Sequence, residues 1–402
     1  MSTAELEKLS SKEVQEYILT HEKDDVLKLL LHKREIFGLP FASVADQIIA
    51  RKKIFSKAPS FYKESGIVYP SALNLEQSSS ETTAKFKVEF LLKEFNRKNF
   101  GKVADITGGF GIDSYVLSQA STNLDFVEPN ATLTAIVKHN FDILGIQNVV
   151  YHCSKVEDFL NASSRKVDLV LVDPSRRDIR SKKVFRLSDC QPDIKSLLPK
   201  LFNITNRVLL KVSPLLDLQL GLNELEHVKK IIVVSVANEC KELLFLLQDN
   251  FSGEPSIETY SLDKQGRVVH SFCFTIGAEK TAHSDFGDPQ LYLYEPNASI
   301  LKSGAFKLIG EKFSLRKLHP NTHLYTSSVV LKKFPGRVFK IEELAFNRSN
   351  IPERKANVIT RNYPLTAEQL KKILKLEDGG ENYVIGFSGM KKKFIVRATR
   401  LE

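Results

Sequence analysis

Hydrophobic positions along the 402-residue chain follow two different periods, and the change between them divides the sequence. Up to about residue 57, apolar residues recur at helical spacing. Pro59 and Pro70 then break the pattern, and a capping-box spacing from Ser78 to Glu81 predicts a helix over 81–95. The first part of the chain is therefore predicted to be a helical subdomain.

From about residue 100, short apolar runs alternate with stretches of helical periodicity. The runs are rich in Val, Ile and Leu and cover 102–106, 124–127, 148–152, 167–172, 207–212 and 230–236. Strands that alternate with helices predict βαβ units and a parallel sheet covered on both faces. Later predicted strands, over 243–247, 257–260 and 268–276, are joined by short links, which favours an antiparallel region at the sheet edge. Residues 241–248 fit either a strand or a helix.

Towards the C-terminus, a linker-like stretch over 279–288 precedes predicted helices over 299–311 and 366–376 and a terminal strand around 394–398. We predict an α/β protein with a Rossmann-like sheet, an N-terminal helical subdomain and a smaller α+β C-terminal region. The predicted domains are a helical subdomain (1–79), the main α/β domain (80–277), a small α+β connecting domain for which a ferredoxin-like fold is one option (278–329), and a basic domain (330–402).

Charge is distributed unevenly along the chain. The net charge is +10, yet residues 300–402 hold 21 Lys and Arg against 9 Asp and Glu, a net of +12, and the other 299 residues have a net of −2. The electrostatic field of such a basic region attracts polyanions, and nucleic acid is the commonest polyanion in a cytoplasm. A lysine-rich surface that serves only solubility is the alternative.

Composition excludes several classes of protein. The sequence contains no run of about 18 apolar residues, so no membrane span is predicted. The first residues lack the basic-then-apolar pattern of a secretory signal, so a cytoplasmic location is expected. The four cysteines are scattered without a C-x-x-C pair and the nine histidines lack metal-ligand spacing, so neither a disulfide framework nor a metal site is predicted.

A glycine-rich turn, Asp105-Ile106-Thr107-Gly108-Gly109-Phe110-Gly111, follows the first predicted strand of the parallel sheet. Ligands of such sheets lie outside the carboxyl ends of the strands, usually beside the first βα turn. Because Gly109 and Gly111 have no Cβ, the backbone can bend sharply there and approach a ligand, toward which the N–H groups of the next helix point. A plain tight turn is the alternative interpretation.

The residues around this turn narrow the choice of ligand. Glu128 ends the second strand, where a carboxylate can accept hydrogen bonds from both ribose hydroxyls of a nucleoside. The dinucleotide pattern G-x-G-x-x-G fails at Ser114, and Asp105 would repel a pyrophosphate but can bind an ammonium group. This combination suits S-adenosylmethionine, which has an ammonium group and an unphosphorylated ribose.

A second motif, Asp173-Pro174-Ser175-Arg176-Arg177, follows the predicted strand over 167–172. Here the sequence resembles the class I S-adenosylmethionine-dependent methyltransferases, specifically those that methylate exocyclic amines of bases and have a (D/N/S)-P-P-(aromatic) motif at this position. The glycine turn also forms a D-x-T-x-G-x-G-x-D pattern, which comprises Asp105, Thr107, Gly109, Gly111 and Asp113. This pattern resembles that of bacterial small-subunit rRNA guanine-N2 methyltransferases. This resemblance covers about residues 80–277 and implies a class I methyltransferase sheet.

The order of motifs along the whole chain resembles a bacterial family of methyltransferases that have a THUMP-like domain at the C-terminus. These motifs are Glu76-Gln77, the glycine turn, Asp173 to Arg177, Lys211-Val212-Ser213-Pro214, Asn238-Glu239-Cys240-Lys241-Glu242 and Tyr294-Glu295-Pro296-Asn297. THUMP domains bind RNA, commonly tRNA ends. The resemblance therefore implies a structured RNA partner, rRNA or tRNA, bound by the basic region 330–402.

The resemblance also implies roles for individual residues. Asp173 and the carbonyl of Pro174 would accept the two hydrogens of an exocyclic amine and aim its lone pair at the methyl group, without a metal. The predicted cofactor-binding residues are Asp105, Thr107, Gly108, Gly109, Gly111, Asp113, Glu128 and, near the carboxylate position that commonly binds adenine, Glu157 or Asp158. That last position has no clean counterpart, because Ser154-Lys155 occupies the loop.

The predicted substrate-binding residues depart from the family pattern. Ser175 and Arg176 stand where the family often has Pro and an aromatic residue that stacks on the base; the aromatic ring could come from Phe61, Tyr62 or Phe185 instead. Arg176 and Arg177 suit an RNA phosphate and equally suit pairing with nearby acids. A further pair, Lys211 and Ser213, follows the fifth strand and faces the same crevice, where a lysine is as often merely solvated.

We therefore predict an S-adenosylmethionine-dependent methyltransferase that acts on a base amine in rRNA or tRNA. Guanine N2 is favoured over adenine N6 by the resemblance alone. Two alternatives remain: methylation of a protein or small molecule, and a non-catalytic RNA-binding protein that retains the fold.

Overall fold

The structure is a computed structural model that describes residues 2–32, 34–163, 166–176 and 187–401. The chain forms two compact units, one built from 1–229 and 242–253 and the other from 230–241 and 254–402. Among the described residues, no helix is both long and apolar enough to cross a membrane. Arg177 and Phe185, which the sequence singles out, lie outside the described residues.

The first unit begins with helices, as predicted. Ser80 caps the helix over Glu81–Glu94, because its Oγ accepts a hydrogen bond from the Thr83 N–H at 3.1 Å. The capping-box spacing points to Ser78, which instead ends the preceding helix. Phe41 and Ile48 are fully buried in the longest helix and form part of its core. The elements are α1 (Thr3–Leu9), α2 (Lys12–Thr20), α3 (Val26–His32), β1 (Glu35–Ile36), β2 (Leu39–Pro40), α4 (Phe41–Lys57), α5 (Pro59–Lys63), α6 (Ala72–Gln77) and α7 (Glu81–Glu94).

Alternating strands and helices follow, which confirms the predicted βαβ pattern. The elements are β3 (Phe100–Asp105), α8 (Ile112–Gln119), β4 (Ser121–Val127), α9 (Ala131–Ile143), β5 (Val149–His152), α10 (Val156–Ala162), β6 (Leu169–Val172), β7 (Ser175–Arg176), β8 (Cys190–Gln191), α11 (Ile194–Ile204), β9 (Arg207–Val212), α12 (Leu218–Glu224), β10 (Val228–Val236) and β11 (Glu239–Gln248). Residues of β10 from 230 onward belong to the second unit.

The strands of the first unit lie in the order β11-β9-β6-β3-β4-β5. The five from β9 to β5 are parallel, and β11 is antiparallel to β9, with Leu243 opposite Val212. Residues 241–248, which fit either a strand or a helix in the sequence, thus belong to a strand. The chain runs from β3 to β4 and β5, and then returns to β6 on the other side of β3. This reversal of strand order between β3 and β6 is where a parallel sheet opens a crevice for ligands.

The second unit contains strands from both sheets and several short helices. Its elements after β10 are β12 (Ser256–Leu262), β13 (Val268–Thr275), α13 (Ile276–Thr281), β14 (Tyr292–Pro296), α14 (Ala298–Ser303), α15 (Leu308–Lys312), β15 (Arg316–His319), β16 (Thr322–Ser327), β17 (Gly336–Glu343), β18 (Asn357–Arg361), α16 (Ala367–Leu374), β19 (Asn382–Ser388) and β20 (Lys393–Leu401). The strand β12 pairs parallel with β10 and antiparallel with β13. The predicted antiparallel region is therefore confirmed for β11 against β9 and for β12 against β13 at the sheet edge, and the parallel pairing of β12 with β10 lies outside that prediction.

The predicted single helix over 299–311 is also wrong. Two short helices, α14 and α15, replace it because Gly304 ends α14 in the left-handed conformation, with φ of 82°. The C-terminal strands form one seven-stranded sheet in the order β15-β16-β14-β17-β20-β19-β18. Leu293, Phe339, Ile385 and Val396 lie in one hydrophobic core of this sheet. With both sheets in place, the predicted α/β fold class is confirmed.

Candidate active site

The glycine turn lies at the carboxyl end of β3 and packs tightly against its neighbours. The Gly108 N–H donates a hydrogen bond to the Val127 carbonyl at 2.9 Å, and a Cβ at Gly108 would lie 2.2 Å from the Phe126 ring. At Gly111, φ is 81° and a Cβ would lie 2.9 Å from Val137. Both positions require glycine, so the turn fits closely against β4 and α9.

Gly109 differs from its neighbours because it faces open space. Its φ is 53°, and a Cβ there would meet no protein atom closer than 3.8 Å. Its N–H donates to Glu128 Oε2 at 3.0 Å, while Glu128 Oε1 accepts from the Asn130 N–H at 2.9 Å. Burial raises the pKa of the Glu128 carboxyl, and the two backbone N–H groups oppose that rise. A fixed carboxylate thus stands beside a bare stretch of backbone, as a ribose diol requires.

Asp105 lies buried at the end of β3, with 2% of its surface exposed. Its carboxyl accepts hydrogen bonds from the Thr107 N–H at 3.1 Å and the Ser114 hydroxyl at 2.5 Å. Burial raises the pKa of Asp105 to about 7, so this group exchanges its proton near neutral pH. A ligand's ammonium group would favour the ionised form. The residues of the turn therefore fit the ribose and the amino acid part of S-adenosylmethionine.

Asp173 follows β6 and is joined to the glycine turn. Its N–H donates a hydrogen bond to Thr107 Oγ1 at 2.6 Å, and its Oδ2 accepts one from the Lys211 ammonium at the end of β9. Burial raises the pKa of the Asp173 carboxyl although Lys211 opposes this. For Lys211, burial is the largest influence and lowers the pKa of the ammonium, but the carboxylates of Asp173, Glu242 and Asp113 together outweigh it and raise that pKa. The structure thus brings Asp105, Thr107 and Asp173 to one crevice with Lys211.

Asp113, predicted to bind the cofactor, lies in the first turn of α8. Its Oδ1 is 2.9 Å from Lys87 Nζ, and its Oδ2 accepts a hydrogen bond from the Ser79 hydroxyl at 2.6 Å. Lys87 also donates to Glu242 at 2.7 and 2.8 Å. Burial alone would raise the pKa of Asp113, but Lys87 lowers it, so the group is ionised. Direct contact with the cofactor stays a prediction for Asp113.

The partners of Asp113 were missed in the sequence. Lys87 lies in α7 between two buried apolar residues, Phe86 and Val88, and is itself 2% exposed. A lysine on the apolar face of a helix needs a buried anion, and this was the available signal. Glu242 gave no such signal, because it lies 155 residues further along the chain.

The other predicted residues take different positions. Glu157 and Asp158 are exposed in the first turn of α10, which follows β5. Pro174 is buried, and Ser175–Arg176 forms β7, which pairs with β8. Ser213 follows β9, where its Oγ accepts a hydrogen bond from the Leu215 N–H at 3.2 Å.

Two of the three aromatic residues considered for base stacking are engaged elsewhere. Phe61 is fully buried, with its ring centroid 5.3 Å from that of Phe110 and 5.2 Å from that of Tyr115. The Tyr62 hydroxyl donates to Glu22 at 3.0 Å, and the Arg51 guanidinium lies 4.2 Å from the centroid of its ring. Phe61 therefore supports the glycine turn from within the protein. Across the described ranges, no group of three or more His, Cys, Asp or Glu side chains could hold a metal ion.

Two family models match the second unit. A ferredoxin-like domain model matches residues 292–335, and a THUMP domain-like model matches residues 336–400. Their common boundary falls between β16 and β17, inside the seven-stranded sheet. No curated protein matches the chain.

The chain is similar over its full length to a solved structure. This is the crystal structure of a "putative methyltransferase from Porphyromonas gingivalis W83", with 30% sequence identity, 100% of each chain covered and a TM-score of 0.86. Much weaker likenesses link the chain to an rRNA methylase from Streptococcus thermophilus (14% identity, 40% of this chain and 93% of that chain, TM-score 0.31) and to "a putative methyltransferase from streptococcus mutans in complex with SAH" (12% identity, 41% and 96%, TM-score 0.31). At such TM-scores the last two support no inference about this chain.

Proposed function

The chain belongs to the family of class I S-adenosylmethionine-dependent methyltransferases that carry a THUMP-like domain at the C-terminus, and we propose that it methylates an exocyclic base amine in rRNA or tRNA. Guanine N2 is the favoured acceptor. One observation carries the proposal: the half-buried Asp173 carboxylate follows β6 beside the glycine turn, with the Thr107 hydroxyl on its backbone and the Lys211 ammonium on its side chain.

The proposed role of Asp173 follows from the chemistry of the acceptor. An exocyclic amine is a poor nucleophile, because its lone pair is delocalised into the ring. When the Asp173 carboxylate and the Pro174 carbonyl accept its two hydrogens, the lone pair is localised on nitrogen and held in one direction. The raised pKa of Asp173 suits a group that takes up a proton.

When bound, S-adenosylmethionine would supply a methyl group on a positively charged sulfur, and that sulfur would keep the electron pair of the broken C–S bond. The methyl carbon would become bonded to the amine nitrogen, and Asp173 would accept the proton that the amine gives up. Gly109 and Glu128 would hold the ribose, and Asp105 the ammonium group, with Glu157 or Asp158 near the adenine. Thr107 would fix the position of Asp173 by its hydrogen bond to the Asp173 N–H.

We assign RNA binding to the C-terminal part of the chain. The THUMP domain-like family model matches residues 336–400 of this part, and residues 300–402 carry a net charge of +12. Phosphate binding by such a surface needs no particular base sequence. The residues Ser175, Arg176, Arg177, Lys211 and Ser213 would contact the substrate nucleotide. The proposed domains are 1–79, 80–277, 278–329 and 330–402. The proposed location is the cytoplasm, where rRNA and tRNA occur.

Mass spectrometry of modified nucleosides tests this function. In rRNA and tRNA from a strain that lacks the gene, one methylated base, N2-methylguanine first, should be missing, and the wild-type gene should restore it. The Asp173→Asn variant should fail to restore it while binding the cofactor normally, because Asn keeps the size of the side chain but cannot take up the amine proton. An unchanged set of modified nucleosides would contradict the RNA substrate. Methylation of a protein or small molecule would then be the function to test.

A further inference from the structure

A buried ionic cluster lies behind the glycine turn, and the proposed chemistry makes no use of most of it. This Lys87 cluster consists of Ser79, Lys87, Asp113 and Glu242. Lys87 Nζ lies 2.7 Å from Glu242 Oε1, 2.9 Å from Asp113 Oδ1 and 3.2 Å from Ser79 Oγ. The hydroxyl of Ser79 donates to Asp113 Oδ2 at 2.6 Å, and its oxygen also lies 3.3 Å from Glu242 Oε1. The cluster joins α7, α8 and β11 of the first unit.

The Lys87 cluster holds one more negative charge than positive. One ammonium lies between two carboxylates, so the formal charge is −1 when all three are ionised. The side chains of Lys87 and Glu242 are each 3% exposed. Charges so far from water are screened weakly by salt and act over a longer distance than surface charges. Lys211, which these carboxylates also attract, is offset by its own pair with Asp173, so one excess negative charge remains to act on a ligand in the crevice.

The charge of the cluster acts on the residues that line the crevice. The cluster's Asp113 raises the pKa of the Asp173 carboxyl and Lys87 lowers it, although burial and Lys211 are the larger influences. Glu242 and Asp113 both help to raise the pKa of Lys211. A methyl donor must lie in line with the amine that Asp173 holds. Under the proposed function, the sulfonium therefore lies close to Asp173. A charge that acts on Asp173 then also acts on the sulfonium.

We propose that the Lys87 cluster makes the crevice prefer the sulfonium cofactor over the demethylated product, with Lys87 and Glu242 as positioning residues that set its charge. S-adenosylmethionine carries one positive charge that S-adenosylhomocysteine lacks, since the sulfur is neutral after the methyl group has left. The rest of the two molecules is the same. A negative charge behind the turn stabilises only the first of them, so the product leaves more readily and inhibits less.

Calorimetry with the two cofactor forms, without RNA, tests the proposal. Glu242→Gln changes the cluster charge from −1 to 0 with almost no change in shape. We expect the Kd of S-adenosylmethionine to rise about tenfold, as the loss of one nearby buried charge implies, and that of S-adenosylhomocysteine to change less than about twofold. If Glu242→Gln does not fold, Asp113→Asn makes the same change in charge and is measured in its place.

A second variant separates charge from structure. Lys87→Met combined with Glu242→Gln returns the cluster charge to −1, so the preference for the sulfonium should return. A merely structural role predicts that this double variant binds both forms at least as poorly as the single one. Ser79→Ala removes a hydrogen bond without changing the charge and should leave the preference as in the wild type.

Equal weakening of both forms by Glu242→Gln, or no recovery in the double variant, would overturn the proposal. Because RNA is absent from these measurements, their failure is distinct from failure of the proposed RNA substrate, which the nucleoside analysis detects. Melting curves establish that each variant is folded.

Discussion

The ammonium of Lys211 donates a hydrogen bond to the carboxylate of Asp173, across the ends of two adjacent parallel strands. Val172, the last residue of β6, lies opposite Leu210 of β9, so the residues that follow in each strand meet side by side. The Lys211 side chain is 11% exposed and that of Asp173 32%. Removing one partner of such a pair leaves the other partner's charge in poorly solvated surroundings, whereas water would solvate that charge at an exposed pair. Lys211 therefore favours the ionised form of the proposed catalytic carboxylate, against the effect of burial.

Replacement of Lys211 by Met should impair methyl transfer most strongly at low pH. Burial would then act on Asp173 without an opposing cation, so the pKa of its carboxyl would rise further and less of it would be ionised at pH 7. The rate at pH 7 should fall by up to about 10²-fold, the contribution of a general base. The acid limb of the pH profile of kcat/KM should move to higher pH.

Lys211→Arg is the matched control, because it retains the positive charge. Its acid limb should move less than that of Lys211→Met, even if its rate is lower. An acid limb that stays in place in Lys211→Met would show that Lys211 does not set the ionisation of the catalytic base.

Cofactor affinity should depend on pH through Asp105. The pKa of this buried carboxyl is about 7 without ligand, so below pH 7 the group is increasingly protonated. The ammonium group of the cofactor favours the ionised carboxylate, so binding must release that proton at low pH. Affinity should fall by about tenfold for each pH unit below 7 and level off above it. Calorimetry between pH 5.5 and 8.5, set by that pKa of about 7, measures the profile.

The same residue should make the ligand-free protein less stable at higher pH. A folded-state pKa above the usual value contributes stability that is present at low pH and is lost as the pH rises through about 7. The melting temperature should therefore fall between pH 6 and pH 8, relative to that of Asp105→Asn. The Asn variant should also bind the cofactor weakly and without this pH dependence. A wild-type affinity that is constant across this range would contradict the role of Asp105.

Much of the site could be predicted because it depends on local sequence and on topology. The glycine turn and Asp173 both follow apolar strand runs, and parallel strands bring their carboxyl ends to one edge of the sheet. The same reasoning predicts one crevice for Asp105, Glu128 and Asp173; the structure joins Asp105 and Asp173 through Thr107, and the common role of the three in cofactor binding stays a prediction. The same topology predicted that Lys211 faces the crevice, but not which partner its ammonium takes.

Other features could not be predicted because distant contacts decide them. Ser79 and Glu242 meet through side chains that are 163 residues apart in sequence, and no periodicity records such a pairing. The strand β12 shows strand periodicity, but the direction of its partner is a property of the sheet. In the predicted helix over 299–311, the break at Gly304 was visible, yet a glycine inside a helix and one that ends it look alike in a single sequence.

Gly109→Ala should impair cofactor binding while leaving the fold nearly intact. A Cβ at this position meets no protein atom closer than 3.8 Å, so the cost to the ligand-free protein is the strain of a positive φ, about 1 kcal/mol. The same methyl group would occupy the space beside Glu128 where the backbone must approach the ligand. We expect the Kd of the cofactor to rise by at least about tenfold, the result of a steric cost of about 1.4 kcal/mol.

Gly304→Ala provides a matched control for strain alone. Gly304 also has a positive φ, 82°, and a Cβ there meets nothing within 4 Å. Both variants should lose a similar amount in melting temperature, and only Gly109→Ala should lose cofactor affinity. Normal cofactor affinity in Gly109→Ala would place the ligand elsewhere.

The lysines at the turn before β20 should contribute to RNA binding. Lys391, Lys392 and Lys393 are all exposed, and Lys392 Nζ lies 5.1 Å from the centroid of the Phe394 ring. Substitution keeps the sheet intact, whereas removing the chain from β17 onward would remove four of its seven strands, including the direct partner of β14. The triple Lys→Gln variant should bind RNA at least about tenfold more weakly in 0.1 M salt, and the slope of its salt dependence should fall by about 0.7 for each phosphate that it no longer neutralises.

The control for this variant is a triple Lys→Gln change at Lys23, Lys28 and Lys98, which are exposed in the first unit. It removes the same total charge, so a general effect of charge would weaken RNA binding equally in both variants. Filter binding at several salt concentrations measures the RNA affinity, and calorimetry should show unchanged cofactor affinity in both. Equal losses, or no loss at Lys391 to Lys393, would reject this turn as a phosphate-binding surface, because a specific surface depends on where its charges lie.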